Sequence, residues 1–175
     1  MIGKRILRTV RGLCLCYLTL TTPSLIAGDW PQILGPQRNG IAVKETLRSQ
    51  WTSGKLTPAW TAPCGSGLAG VAVAEGTVVL FHRQNDEETL SAFDAETGKP
   101  RWNRGFATTF QAAIVDDDGP RAVPTIAGQR VFAYGAQGRL MCVDLKTGEA
   151  LWNRETHKEY AAPGGYFGAG SAPLV

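Results

Sequence analysis

An internal repeat of about fifty residues limits the folds that this chain can adopt. The segments Leu90–Arg104 and Leu140–Arg154 align without a gap at an offset of 50 residues, and seven of their fifteen positions are identical. Unrelated segments of average composition would share about one. A fixed period of this length indicates a repeat architecture, in which each unit buries its apolar surface against the next.

Each copy of the repeat has the pattern of short β-strands joined by tight turns. Val78–Phe81 and its counterpart Arg130–Tyr134 are rich in β-branched and aromatic residues, which is typical of strands. Leu90–Phe93 and Leu140–Val143 are interpreted as the strand that follows in each copy. The polar residues 83–89 are interpreted as a loop. Beyond the N-terminal 27 residues, no segment keeps the apolar spacing of an amphipathic helix over three turns, which excludes a helical repeat. We therefore predict an all-β fold, a β-propeller of four-stranded antiparallel blades.

The shared spacing within the repeat also predicts how its turns close. In Asp94–Gly98 and Asp144–Gly148, the Asp side chain can accept backbone N–H groups two or three residues on, and the Gly can take a positive φ. Both Asp residues are therefore interpreted as turn residues. Trp102 and Trp152 begin the strand that follows each turn, and each is expected to pack against a neighbouring blade.

The repeat predicts about two blades and the beginning of a third. Residues 69–118 form the first predicted blade and residues 119–168 the second. Residues 169–175 are expected to be the first strand of a truncated third blade, because Ser171–Val175 resembles Ala122–Ile126. Since a closed propeller needs about four to eight blades, the sequence is interpreted as a fragment.

The residues before the first blade, 28–68, are interpreted as an N-terminal segment. A looser copy of the turn and its Trp occurs at Thr52–Lys55 and Trp60. Residues 45–62 are therefore a candidate for the outer strand of a missing closing blade.

The amino terminus predicts export. Four basic residues lie within residues 1–11, and residues 12–27 are apolar or small, which is typical of a secretory signal peptide. This run is short for a membrane-spanning helix and is interrupted by Pro23; an uncleaved anchor is the alternative. Without the leader, the formal net charge of +3 becomes −1, because 14 basic residues then face 15 acidic ones. We expect a periplasmic or extracellular protein with no nucleic-acid partner and no integral membrane segment after cleavage.

The shared pattern Leu-x-x-x-Asp-x-x-Thr-Gly-x-x-x-Trp resembles the repeat of PQQ-like β-propellers, PQQ being pyrroloquinoline quinone. This family includes the quinoprotein dehydrogenases and the lipoprotein of the outer-membrane β-barrel assembly machine. The opening segment Asp29–Gly40 and the segment Gly119–Pro124 resemble the same group. The resemblance implies either an exported, non-catalytic scaffold that binds a protein or a glycan at a loop face, or the N-terminal part of a PQQ-dependent oxidoreductase.

The oxidoreductase alternative implies a specific set of residues. In quinoprotein dehydrogenases PQQ lies on the propeller axis, Ca²⁺ is held by Glu, Asn and Asp side chains, an Asp is the base, and adjacent cysteines form a disulfide ring. Here Cys64 and Cys142 are isolated, and no residue can be matched to the metal ligands. We assign no catalytic, cofactor-binding or metal-binding residue, expect no cofactor, and favour the scaffold.

The remaining candidates are interpreted structurally. The acidic run 116–118 is expected to be a solvated loop whose charge Arg121 offsets, rather than a Ca²⁺ site. His82 and His157 are interpreted as surface or strand-end residues. An oxidising compartment would permit a bridge between the two mature cysteines, but separate buried thiols are expected.

The long loops carry the candidate binding residues. The Gly-rich stretches 65–70 and 164–170 lack the Lys of a phosphate-binding loop and are interpreted as loops at the mouth of the propeller. Tyr160, Tyr166 and Phe167 lie outside the repeated motif and are the candidates for a binding rim, since loops on a rigid scaffold often carry recognition.

Overall fold

The computed structural model describes residues 28–43, 45 and 57–175. The predicted signal peptide lies outside the described residues, as does most of 45–62. The described elements are β1 (Val71–Ala74), β2 (Thr77–Gln84), β3 (Glu87–Asp94), β4 (Pro100–Ala107), β5 (Thr125–Ala127), β6 (Arg130–Tyr134), β7 (Arg139–Asp144), β8 (Ala150–Glu155) and the short helix α1 (Thr156–Glu159).

The eight strands form two four-stranded sheets. The first has the order β1-β2-β3-β4 and the second β5-β6-β7-β8, and every neighbouring pair is antiparallel. We call these sheets blade 1 and blade 2. The prediction of an all-β fold built of four-stranded antiparallel blades is confirmed, as an open pair of blades rather than a closed ring.

One apolar core lies between the two blades. Cross-strand register puts Ala72, Val79, Ala92 and Trp102 in one row, so these side chains share a face of blade 1. This face packs against blade 2 in a core that also contains Val131, Ala133, Met141 and Val143. Each blade thus obtains its core from its neighbour, which is how stacked repeats are stabilised. We call this contact between the two blades the seam.

The two ends of the blades differ in the length of their connections. At one end, which we call the turn end, the connections are short; they include the two predicted Asp-x-x-Thr-Gly turns. At the other, the loop end, the chain makes long loops at residues 64–70, 108–124 and 160–171. Loops of this kind carry binding residues more often than tight turns do.

The predicted turn chemistry is confirmed in both blades. The N–H of Thr97 donates to the Asp94 carboxylate over 2.9 Å, and the N–H of Thr147 donates to the Asp144 carboxylate over 2.8 Å. Gly98 and Gly148 have φ values of 70° and 69°. The hydrogen bond from Arg101, followed by those from Thr97, holds the pKa of the Asp94 carboxyl well below its ordinary value.

One expectation about the strands is corrected. Residues 83–89 are not a loop, because β2 and β3 continue through this segment and only Asn85 and Asp86 make the turn. Residues 169–175 form no strand; the carbonyl of Pro173 instead accepts the Thr125 hydroxyl over 2.7 Å. No backbone hydrogen bond pairs residues 169–175 with a described strand, so their assignment as the first strand of a third blade stays a prediction.

Candidate functional site

The loop end is held together by backbone contacts between loops that are distant in sequence. The N–H groups of Leu68 and Ala69 both donate to the Pro120 carbonyl, over 2.9 and 3.1 Å. The Ala169 N–H donates to the Ala136 carbonyl over 2.8 Å. These bonds tie the first Gly-rich stretch to the loop between the blades, and the second to blade 2.

The acidic run 116–118 organises these loops. Asp116 is exposed as predicted, but Asp117 and Asp118 are half-buried, which corrects the expectation of a fully solvated loop. The Asp117 carboxylate accepts the N–H groups of Gly67 and Gly119 over 3.0 and 2.8 Å, and the Asp118 carboxylate accepts a third loop N–H. Arg121 lies 3.6 Å from Asp117, so the predicted charge compensation is confirmed.

His82 is buried, which corrects its interpretation as a surface or strand-end residue. It lies in β2 with 2% of its surface exposed. Its Nδ1 accepts the Gly65 N–H over 2.7 Å, so Nε2 carries the proton and donates to the Ser91 hydroxyl over 2.8 Å. Burial lowers the pKa of the His82 imidazole, which favours this neutral form. The side chain therefore fastens the 64–70 loop to blade 1. His157, by contrast, lies half-exposed just after β8.

Glu88 is a buried carboxyl that the sequence did not indicate. It lies in β3 with 3% of its surface exposed, and its carboxylate accepts the Ala136 N–H of blade 2 over 2.7 Å. Burial raises the pKa of Glu88, although Arg139, Arg83 and Arg121 oppose the shift. The residues of β3 do not alternate between apolar and polar. The sequence therefore gives no sign that Glu88 is buried.

The structure separates the three predicted rim residues into two groups. Tyr166 and Phe167 are 73% and 54% exposed, and the Tyr166 carbonyl accepts the Ala113 N–H over 3.4 Å, beside Ile114, which is 64% exposed. We call Ile114, Tyr166 and Phe167 the apolar patch. Gly168, at a φ of 73°, ends it and lies against Phe110 and Ala136, where a side chain would not fit.

Tyr160 belongs to a different surface. It is 70% exposed and lines an open pocket of about 400 Å³ together with Tyr134 and Leu140. Tyr134 and Leu140 are opposite each other in the sheet, on the face of blade 2 that points away from blade 1. Tyr160 therefore borders this outer face of blade 2 and is not part of the apolar patch.

The remaining expectations concern metals, thiols and membranes. Cys64 and Cys142 are separate free thiols, as expected, but only Cys142 is buried, and burial raises its pKa. Among residues 28–43, 45 and 57–175, no three His, Cys, Asp or Glu side chains are grouped so as to hold a metal ion. No helix in this part of the chain has the length and apolar character to cross a bilayer.

Comparison with known proteins identifies the fold family. A family model described as "Outer membrane protein assembly factor BamB" matches residues 41–174. The chain belongs to the PQQ-like β-propeller repeat family. This confirms the resemblance drawn from the Leu, Asp, Thr, Gly and Trp positions of the repeat. No curated protein sequence matches the chain.

One solved structure with a TM-score above 0.5 agrees with this fold. Quinohemoprotein alcohol dehydrogenase from Comamonas testosteroni is 19% identical with a TM-score of 0.56, over 86% of this chain and 22% of that chain. BamB from Moraxella catarrhalis is 23% identical with a TM-score of 0.40, over 55% of this chain and 26% of that chain. At 19% identity, the quinohemoprotein alcohol dehydrogenase shows a shared fold alone. The chain spans about a quarter or less of these structures.

Proposed function

We propose that this protein is an exported, non-catalytic propeller scaffold that binds a protein partner through the apolar patch at its loop end. The observation that carries the proposal is the patch itself. Three large apolar side chains are between 54% and 73% exposed and lie on two adjoining loops. Apolar side chains exposed together in this way are typical of interaction sites, and aromatic residues often dominate the energy of an interface.

Side-chain contacts hold the loop under the patch, which favours binding with little loss of conformational entropy. The loop that carries Ile114 is fixed by Arg83, whose guanidinium donates to the Phe110 carbonyl over 2.6 Å. Arg121 covers the Phe110 ring, with its guanidinium carbon 5.2 Å from the ring centroid. A surface that is ordered before binding loses less entropy when a partner docks.

The family description also supports a protein partner rather than a glycan. The matching family model is described as an outer membrane protein assembly factor, and assembly factors act on other proteins. The same description supports export, in agreement with the predicted leader of residues 1–27.

Site-specific photo-crosslinking in cells tests the proposal. A photoreactive phenylalanine analogue at Tyr166 is expected to give one dominant crosslinked protein, whereas the analogue at Lys146, exposed at the turn end, gives none. With that partner purified, the double variant Y166A/F167A should weaken binding at least tenfold. Leu151→Ala removes a 46% exposed apolar side chain from β8 and should leave binding unchanged.

Two outcomes would overturn the proposal. Equal crosslinking from Tyr166 and Lys146 would show that the loop end is not the binding face. Dye reduction with an alcohol, dependent on added PQQ and Ca²⁺, would favour the oxidoreductase instead.

A further inference from the structure

Residues 28–43 lie on the side of the blades that faces the propeller axis. The first strands of the two blades, β1 and β5, are in contact with each other, and each has one free edge in its sheet. Propeller blades are arranged around a central channel, so these free edges border the channel. Unpaired backbone groups along such an edge need another partner.

The N-terminal segment supplies that partner to both blades. Trp30 exchanges two backbone hydrogen bonds with Val73 of β1, over 2.7 and 2.9 Å. The carbonyl of the next residue, Pro31, accepts the N–H of Ile126 in β5 over 2.7 Å. Two consecutive residues therefore bridge the inner edges of two adjacent blades.

The position of the segment along the axis is also defined. Val73 lies one residue from the end of β1, next to the turn between β1 and β2, and the N–H of Glu75 in that turn donates to the Asp29 carboxylate over 3.3 Å. Contacts with the inner edge are thus made at the turn end. The N–H of Val71, two residues earlier in β1, points to the same side of the strand as that of Val73, because the orientation alternates along a strand. Among the described residues, it has no backbone partner on that side.

A compact fold within the segment holds Trp30 in place. Gly35 has a φ of 78°, and a Cβ added there would lie 2.7 Å from the Trp30 ring. Gly40 has a similar φ of 73°, but a Cβ added there would lie 3.9 Å from its nearest neighbour, the Leu34 side chain. The segment thus packs tightly around Trp30 and loosely around Gly40.

We propose that residues 28–43 are an axial seal, which joins the two blades at their inner edges and closes the central channel at the turn end. Ile33, Leu34 and Ile41, which are 37%, 53% and 59% exposed, give this segment an apolar surface. This inference does not depend on the partner proposed for the apolar patch.

Amide hydrogen exchange measured by NMR tests the seal directly. In the unaltered protein, the amides of Val73 and Ile126 should exchange at least tenfold more slowly than the axis-facing amide of Val71. Gly35→Ala should displace the Trp30 ring and accelerate exchange at Val73 and Ile126 at least tenfold. Gly40→Ala introduces the same backbone strain without a close contact, and should leave both amides protected.

Three results would overturn the proposal. Val73 and Ile126 could exchange as fast as Val71 in the unaltered protein, Gly35→Ala could leave their exchange unchanged, or Gly40→Ala could accelerate it equally. If Gly35→Ala does not fold, Trp30→Ala removes the same ring without backbone strain and must accelerate both amides for the proposal to stand. Partner crosslinking from Tyr166 is a separate readout, so failure of the seal and failure of the proposed function are distinguishable.

Discussion

Trp102 and Trp152 occupy the same position of the repeat, but their surroundings differ. The indole N–H of Trp102 donates to the Leu145 carbonyl over 2.9 Å, and its ring lies against Gly148 in the turn of blade 2. Trp152 is 40% exposed, and its aromatic neighbour among the described residues is Phe132 of its own blade. At the seam, the Trp of the repeat thus joins two blades, whereas on the outer face of blade 2 it is partly exposed.

Two further contacts extend this comparison. Trp60 donates to the Ala95 carbonyl over 3.0 Å and lies against Gly98, so it repeats on blade 1 what Trp102 does on blade 2. Arg104 reinforces the seam by donating to the Gly148 carbonyl over 2.8 Å, whereas its counterpart Arg154 pairs with Glu159. Trp60 and Trp102 therefore each contact the Asp-x-x-Thr-Gly turn of the blade that follows them in the chain.

The largest expected difference comes from removing each Trp. Trp102→Ala should lower the free energy of unfolding by about 3–5 kcal/mol, because it leaves a cavity in the seam and removes the part-buried hydrogen bond to Leu145. Trp152→Ala should cost about 1 kcal/mol or less, because the ring is 40% exposed and lies on the outer face of blade 2. Urea denaturation measures both. Equal losses would contradict the distinction between the two faces.

Gly148, which contacts the Trp102 ring, provides a second comparison. Gly148→Ala should cost about 2–4 kcal/mol, since a Cβ would lie 2.5 Å from the Trp102 ring and the φ is positive. Gly128→Ala is the matched control: its φ is 55° but none of the described residues lies within 4 Å, so it should cost about 1 kcal/mol. The same denaturation experiment measures the two variants, and similar values would mean that the Trp contact contributes little.

The arginines should show a smaller contrast. Arg104→Ala removes a hydrogen bond across the seam and should cost about 1 kcal/mol. Arg154→Ala removes an exposed ion pair and should cost less than about 0.5 kcal/mol. Thermal unfolding of the two variants measures this contrast. A larger loss of stability from Arg154→Ala than from Arg104→Ala would contradict a stabilising role of Arg104 across the seam.

The smallest effect should be the pH dependence of the seam at Glu88. Because burial raises the pKa of Glu88 in the folded protein, the stability that its protonation contributes is present at low pH and is lost as the pH rises through the folded pKa. Glu88→Gln keeps an oxygen for the Ala136 N–H but does not titrate. Its stability relative to the unaltered protein should therefore increase between pH 4 and pH 7.

Denaturation at the two pH values measures this change. Glu87→Gln, at the exposed neighbouring position, is the control and should follow the unaltered protein. A relative stability of Glu88→Gln that falls or stays constant with pH would contradict the account of Glu88.

The sequence predicted the features that depend on local pattern. The repeat indicated the strands, and Asp94 and Gly98 indicated the turn, because a turn depends on the residues within it. His82, Asp117 and Glu88 were not predicted correctly, because their burial depends on loops from distant parts of the chain. The inner-edge position of Trp30 was missed for the same reason: residues 28–43 have no strand pattern, and their place is set by contacts with both blades.

Hydrogen exchange of the indole N–H groups, followed by NMR with each Trp assigned by substitution with Phe, measures directly whether the Trp of the repeat joins the blades. The Trp102 indole N–H, which is bonded to a carbonyl across the seam, should exchange at least tenfold more slowly than that of Trp152. Equal exchange rates for the two indoles would contradict the claim that the Trp of the repeat joins the blades.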